Sequence, residues 1–404
     1  MSATTTPTPL ASVPPEFISA PAWRLPGWFE PVLVASILFG ACFYTRRRYI
    51  NLFGPSRAPY RPLFEQDDDA DNLSAEALGR YSESDVDGIE AESEFVTTSS
   101  SKFPPKRRTI CGLTIRTPNT ARFAANWHSR VLYKFPFLME MFYWVLTYFI
   151  YRLTHVLSQA VFADKIWDLA QENGLRVLEV EQFSMLRFLF PVQEITVQRW
   201  FMEYHPDFLT VLNKGYALVH IPGTVFFMAW YYSAAPTHAL FATVRRTITL
   251  CNLAAFSVFM AYPCMPPRLL PAEYGFVDTV RRDSAESVWM SGRFVNHLAA
   301  MPSMHFGYAF MIGSTVVFHA VRHCVMGRPA RVALAMLGVA YPTAVLTTIV
   351  ATANHYWLDA TAAACVAVFS LFCNRVFLVF MPLEDWLLFV LRVEKPRPNC
   401  GSRR

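Results

Sequence analysis

In the stretch TANHYWLDATAA, residues 352–363, His355 and Asp359 stand four residues apart inside an otherwise apolar run. On a helix that spacing puts them on one face, one turn apart and close enough to touch. An ionisable pair at the edge of a hydrophobic segment is costly to keep there, which points to function. A carboxylate that accepts the proton of one imidazole nitrogen fixes the tautomer and leaves the lone pair of the other free to attack. The competing reading is a structural hydrogen bond between helices, and a second histidine weighs against it. Pro302-Ser303-Met304-His305 reads as a helix start, because proline suits the first turn. The free N–H groups of that turn, with Ser303 alongside, would cradle phosphate oxygens. His305 would then be in position to protonate a leaving oxygen. Arg268, in YPCMPPRLLP (262–271), could bring charge to the equatorial oxygens of a phosphoryl group, or it is an arginine snorkelling to a membrane interface. Attack by His355 on phosphorus would give a phosphohistidine and would need no metal or cofactor.

The segments that must position these groups read as membrane helices. Only 17% of the 404 residues are charged, against about a quarter in a soluble protein, and the mean hydropathy is +0.24. Taking about 20 apolar residues as the length of a span, the candidates are 28–45, 136–162, 208–232, 248–264, 304–321, 331–351 and 357–381. The expected fold is all-α: a polytopic membrane helical bundle, with a six-helix core preceded by one N-terminal span. Residues 163–207 are mixed, with apolar clusters such as FSMLRFLF broken by Glu172, Glu179, Glu181, Gln182 and Glu194. They read as interfacial or loop helices.

Residues 65–94 hold twelve of the 31 acidic residues and one of the 36 basic ones. Such a tract cannot bury enough apolar surface to fold. The expected organisation is a disordered tail over 1–27, a span over 28–45 and a disordered cytoplasmic segment over 46–134. A membrane catalytic domain over 135–382 and a basic tail over 383–404 complete it. The remaining positive charge lies at the ends of apolar segments rather than in a basic stripe with interleaved aromatics, which excludes nucleic acid as a partner. The eight cysteines form no CxxC, which excludes a disulfide framework or a zinc site. The Pro/Thr/Ser-rich N-terminus has no basic n-region, so no cleavable signal peptide is expected.

Basic clusters orient the chain. Arg46–Arg48, Lys106–Arg108 with Arg122, Arg130 and Lys134, Arg245–Arg246, Arg322 with Arg328 and Arg331, and the C-terminal group from Arg392 to Arg404 all fall on one side of a seven-span arrangement. By the positive-inside rule that side is the cytoplasm. Arg268, His305 and His355 then share the opposite face, lumenal in a eukaryotic cell, in the Golgi or endoplasmic reticulum.

PSMH followed fifty residues later by HYWLD resembles the second and third signature motifs of the type 2 phosphatidic acid phosphatase superfamily, which includes vanadium haloperoxidases and sphingolipid headgroup transferases. AAMPSMH, PPRLLP, GFVDT and NKGYALVH with His220 resemble the branch around inositol phosphorylceramide synthase, and HYWLD is also similar to the HY-x-x-D of sphingomyelin synthases. The resemblance covers about 160–380. It implies His355 as nucleophile, Asp359 as its orienter and His305 as general acid, with Arg268 and Ser303 at the phosphate. On this reading His355→Ala and Asp359→Asn each abolish turnover. The phosphatase pattern also has a lysine seven residues before its Arg-Pro and an arginine six residues before the nucleophile. Here those places hold Ala261 and Ile349, and Leu269 follows Arg268. Losing two phosphate-binding cations shifts weight away from vanadate binding and toward the transferase branch, with Asn354 and Thr352 as candidates to compensate by hydrogen bonding. His220, deep in a span, reads equally as a functional group or a packed histidine and is left outside the catalytic set.

The expected substrate is therefore a membrane phospholipid. With a lipid hydroxyl such as that of ceramide as acceptor the enzyme is a headgroup transferase, and with water it is a lipid phosphate or diphosphate phosphatase. A third reading is a non-enzymatic scaffold with a relict site, its Ser-rich acidic tract recruiting cytosolic partners. The sequence names no protein partner.

Overall fold

A computed structural model describes residues 26, 28–50, 52, 103–110, 112–162, 166–182, 187–188, 190–279 and 298–400. The expectations for the N-terminal tail before residue 26 and for the acidic tract 65–94 lie outside those residues. The described chain is mostly helical. Helix α1 is Phe29–Tyr44, α2 Trp127–Lys134, α3 Phe137–Phe162, α4 Ile166–Gln182, α5 Glu194–Tyr204, α6 Pro206–Ala234 and α7 His238–Ala261. Helix α8 is Met304–Arg322, α9 Arg328–Ala351, α10 Trp357–Cys373 and α11 Met381–Val390.

Among the described residues, Met304–Arg322, Arg328–Ala351 and Trp357–Val390 are long and apolar enough to cross a membrane. The last runs from α10 through a 3₁₀ stretch, Asn374–Phe380, into α11. Phe29–Tyr44 and Phe137–Ile150 are shorter apolar helices. Pro222 and Pro342 lie inside α6 and α9, a placement that membrane helices tolerate when neighbouring groups take up the freed carbonyls.

The chain divides into two compact units, Met1–Leu33 with Leu153–Thr224 and Asn252–Ala367, and Val34–Arg152 with Val225–Cys251 and Val368–Arg404. The first contains every candidate site residue. In it α8 and α9 pack through Gly313 and Gly338. A Cβ at Gly313 would strike the Gly338 carbonyl and the Pro342 ring, so glycine is what allows the helices this close. A second cluster of fully buried side chains joins α4 to the segments flanking the motifs: Ala170, Cys264, Ala353 and Tyr356.

The second unit corrects three sequence expectations. Disorder over 46–134 does not extend to its last part, where Lys106–Ile110 (β1) and Leu113–Thr117 (β2) form an antiparallel hairpin turning through Gly112 at φ 81°. Asp385 holds it, accepting from Arg108 Nε at 2.6 Å and from Thr117 Oγ1 at 2.8 Å. The supposed tail from 383 starts inside α11, and Val393 is buried beside Met139 and Leu388. The loop expected at 233–247 shrinks because α7 begins at His238. Arg245 stays within that helix because Glu140 accepts from it through both carboxylate oxygens at 2.7 Å, the charged partner a buried guanidinium requires.

Candidate active site

The third-motif loop begins where α9 ends. Ala353 takes a left-handed φ of 51°, and the Ile349 carbonyl accepts from both Asn354 N–H at 3.0 Å and His355 N–H at 3.2 Å. The turned-back chain satisfies carbonyls that a helix end would otherwise orphan. It also delivers His355 into a buried position beside the start of α10, which carries Asp359.

His355 Nδ1 lies 2.8 Å from the Ala300 carbonyl oxygen and 3.3 Å from Asp359 Oδ2. Both are acceptors, so the proton resides on Nδ1 and the lone pair on Nε2. Nε2 is buried and has no hydrogen-bond partner among the described residues. It is the atom free to attack. Asp359 Oδ2 also accepts from Tyr356 N–H at 3.0 Å, which holds the carboxylate in place.

Ala300 is the unexpected member of this set. Its N–H donates to the Cys264 carbonyl at 3.1 Å, Cys264 N–H donates to Leu298 at 2.8 Å, and Met265 N–H donates to Ala170 on α4 at 2.9 Å. Tyr356 Oη then donates to the Met265 carbonyl at 3.0 Å. Gly174 makes room for this join: a Cβ there would come within 2.8 Å of the Met265 oxygen and 2.9 Å of Tyr356 Oη.

The second motif enters α8 with Ser303 as its N-cap, Oγ accepting from Phe306 N–H at 3.4 Å. Pro302 precedes the cap rather than occupying the first turn, because the helix starts at Met304. Ser303 is fully buried, and its N–H donates to the Asp359 carbonyl at 3.1 Å, joining the two motifs. The His305 ring centroid is 5.9 Å from that of His355, close enough for one phosphoryl group to meet both. Tyr216 on α6 stacks on His305 at 4.0 Å and His220 lies 4.3 Å away. The residue left outside the catalytic set is therefore beside it.

Arg268 is nearly buried. Its Nε donates to Asn354 Oδ1 and its Nη1 to Asp278 Oδ2, each at 2.8 Å, and its own N–H donates to the Ala353 carbonyl at 2.9 Å. The snorkelling reading does not fit these bonds. Asn354 and Thr352, considered as replacements for the missing cations, are bonded to each other at 2.7 Å while Asn354 also holds Arg268. Ile349 is fully buried against Tyr216, Val350 and Ala360, and Ala261 is exposed at the end of α7. Asp278 and Tyr216 lie within GFVDT and NKGYALVH, the stretches that resemble the transferase branch, but neither is legible there as a site residue, because their partners Arg268 and His305 are set by the fold and not by spacing. Among the described residues no group of three or more His, Cys, Asp or Glu side chains could hold a metal.

A cavity of about 650 Å³ runs between α8 and α9 from Phe306 and Leu346 past Phe310 and Val317 to Arg322. Its lining is mostly apolar, with Ser314, Thr343 and Arg322 among it, and His305 does not line it.

This arrangement suits phosphoryl transfer, and similarity agrees with it. Residues 179–373 match the family model described as the PAP2 superfamily. The chain carries a PAP2 superfamily domain. Such a domain implies a lipid phosphatase or phosphotransferase enzyme acting on lipid phosphates. No curated protein and no solved structure matches the chain. His355, Asp359, His305, Ser303 and Arg268 all lie within the matched stretch, whereas Ala170 and Gly174 of α4 precede it.

Proposed function

We propose that the protein is a headgroup transferase resembling inositol phosphorylceramide synthase. His355 Nε2 attacks the phosphorus of a phosphatidyl headgroup donor, forming a P–N bond as the P–O bond to diacylglycerol breaks, and His305 gives its proton to the departing diacylglycerol oxygen. In the second half the hydroxyl of a lipid acceptor such as ceramide loses its proton to His305. Its oxygen attacks the same phosphorus, and the P–N bond breaks. Asp359 and the Ala300 carbonyl orient His355 and stabilise the charge it acquires, while Arg268, braced by Asn354 and Asp278, balances charge on the phosphoryl oxygens.

One observation carries this reading: His355 keeps its proton on Nδ1 and presents a buried, unpartnered Nε2. A lipid hydroxyl is favoured over water by the uncharged residues at positions 261 and 349, and the largely apolar groove between α8 and α9 offers a surface for lipid chains. Catalysis on the lumenal face of the Golgi or endoplasmic reticulum belongs to the same proposal. Membranes supplied with labelled phosphatidylinositol and ceramide test it. Labelled inositol phosphorylceramide and free diacylglycerol are expected. Release of inositol phosphate and diacylglycerol with no sphingolipid product would make water the acceptor and the protein a hydrolase instead.

A further inference from the structure

The first turn of α10 is held by three carboxyl groups from three elements. Asp359 Oδ2 accepts from Tyr356 N–H at 3.0 Å, Glu194 Oε1 on α5 from Trp357 N–H at 3.1 Å, and Glu181 Oε1 on α4 from Leu358 N–H at 2.6 Å. A helix start leaves such N–H groups without partners inside the helix, and negative charge is favoured at that end. One cap would ordinarily suffice, yet here two further side chains arrive from 163 and 177 residues away in sequence. Both glutamates are buried, Glu194 at 2% exposure and Glu181 at 5%.

Two buried carboxylates side by side repel, and a proton held between them relieves that repulsion. Glu181 Oε2 is buried and meets no donor among the described residues, and the Glu181 and Glu194 side chains neighbour each other in the lining of one small cavity. Burial first, and then Glu194, push the Glu181 carboxyl up to about 10. The other charged groups bordering the pair are Asp359, whose charge acts in the same direction, and the exposed Arg187.

We propose that Glu181 and Glu194 are a proton-sharing pair of positioning residues that fixes the start of α10 and thereby the geometry of Asp359 and His355. Neither touches substrate. Because the pair holds one proton, it caps two N–H groups with a single negative charge and adds only one charge to that of Asp359. The proposal rests on His355 as nucleophile for its effect on rate, but not for the shared proton itself.

Three variants and an infrared measurement test it. In Glu181→Gln the amide oxygen still accepts from Leu358 N–H and the amide N–H replaces the shared proton, so kcat and KM stay near wild type. In Glu181→Ala the helix start loses its anchor, and kcat falls by about tenfold or more with KM little changed, as expected for a misplaced reacting group. His355→Ala is the control that tests the nucleophile separately. The wild-type protein at neutral pH shows a protonated-carboxyl C=O stretch that disappears in Glu181→Gln and persists in His355→Ala. If Glu181→Gln were as impaired as Glu181→Ala, or if no protonated-carboxyl band were lost on the substitution, the shared proton would be refuted. An active His355→Ala with the band intact would instead refute the nucleophile assignment and leave the pair standing.

Discussion

Replacing Asp359 by asparagine separates two functions that a catalytic aspartate ordinarily combines. Where an aspartate alone fixes the histidine tautomer, its conversion to asparagine lowers kcat by about 10⁴, because the ring then presents the wrong nitrogen. Here the Ala300 carbonyl lies 2.8 Å from His355 Nδ1, closer than Asp359 Oδ2 at 3.3 Å. A carbonyl cannot donate, so Nδ1 keeps its proton whatever occupies position 359. The asparagine oxygen can also retain the bond from Tyr356 N–H. What the variant loses is the negative charge facing the imidazole when it becomes cationic on phosphorylation. A hydrogen bond to a charged group contributes about 1.5–3 kcal/mol, so turnover should fall by roughly 10- to 150-fold. His355→Ala should leave none. The sequence alone suggested equal loss in both variants, and the backbone carbonyl is the reason for the difference. Steady-state transfer with labelled phosphatidylinositol and ceramide, on protein shown to be folded and membrane-inserted, measures both. A loss of about 10⁴ in Asp359→Asn would refute the tautomer-holding role of Ala300, and unchanged turnover would refute any electrostatic role for Asp359.

Arg268→Lys should reduce kcat/KM by about 10- to 100-fold, since one ammonium cannot replace a planar fork that bonds Asn354 and Asp278 in fixed directions; activity within twofold of wild type would contradict this. Gly174→Ala forces apart α4 and the Tyr356–Met265 bond, and overpacking of this kind costs about 1–3 kcal/mol, to be read as a lowered unfolding midpoint together with lower activity. An unchanged midpoint would show that the join yields freely. The pH dependence of stability follows from Glu181, whose carboxyl is raised from 4.5 to about 10 by burial and by Glu194. The folded state then binds more protons than the unfolded state between those limits, so stability falls as pH rises through that window. Glu181→Gln should flatten the slope in denaturation measured at several pH values, and an unaltered slope would contradict the shift.

The spacing of His355 and Asp359 was legible because a helix turn is a local rule, and the fifty residues between HYWLD and PSMH identified the companion histidine. Apolar runs likewise located the helices α8, α9 and α10. What the sequence concealed depends on backbone groups and long-range partners. The Ala300 carbonyl has no side-chain signature, and Glu181 and Glu194 find their partners in N–H groups more than 160 residues away. Read by neighbourhood, they only interrupt an apolar cluster. Arg108 and Arg245 read as topological charges, yet each is held in an ion pair with Asp385 or Glu140. The hairpin over 106–117 was obscured by the acidic tract before it, although alternating residues around Gly112 carried a strand signal.

The covalent intermediate tests the central claim most directly. Membrane-inserted protein incubated with phosphatidylinositol labelled in the headgroup phosphate, without acceptor, is quenched under alkaline conditions and mapped by mass spectrometry of its peptides. The account predicts label on the Nε2 atom of His355, none in His355→Ala, and discharge of the wild-type label on addition of ceramide. Turnover without any labelled histidine, or label that persists in His355→Ala, would contradict it.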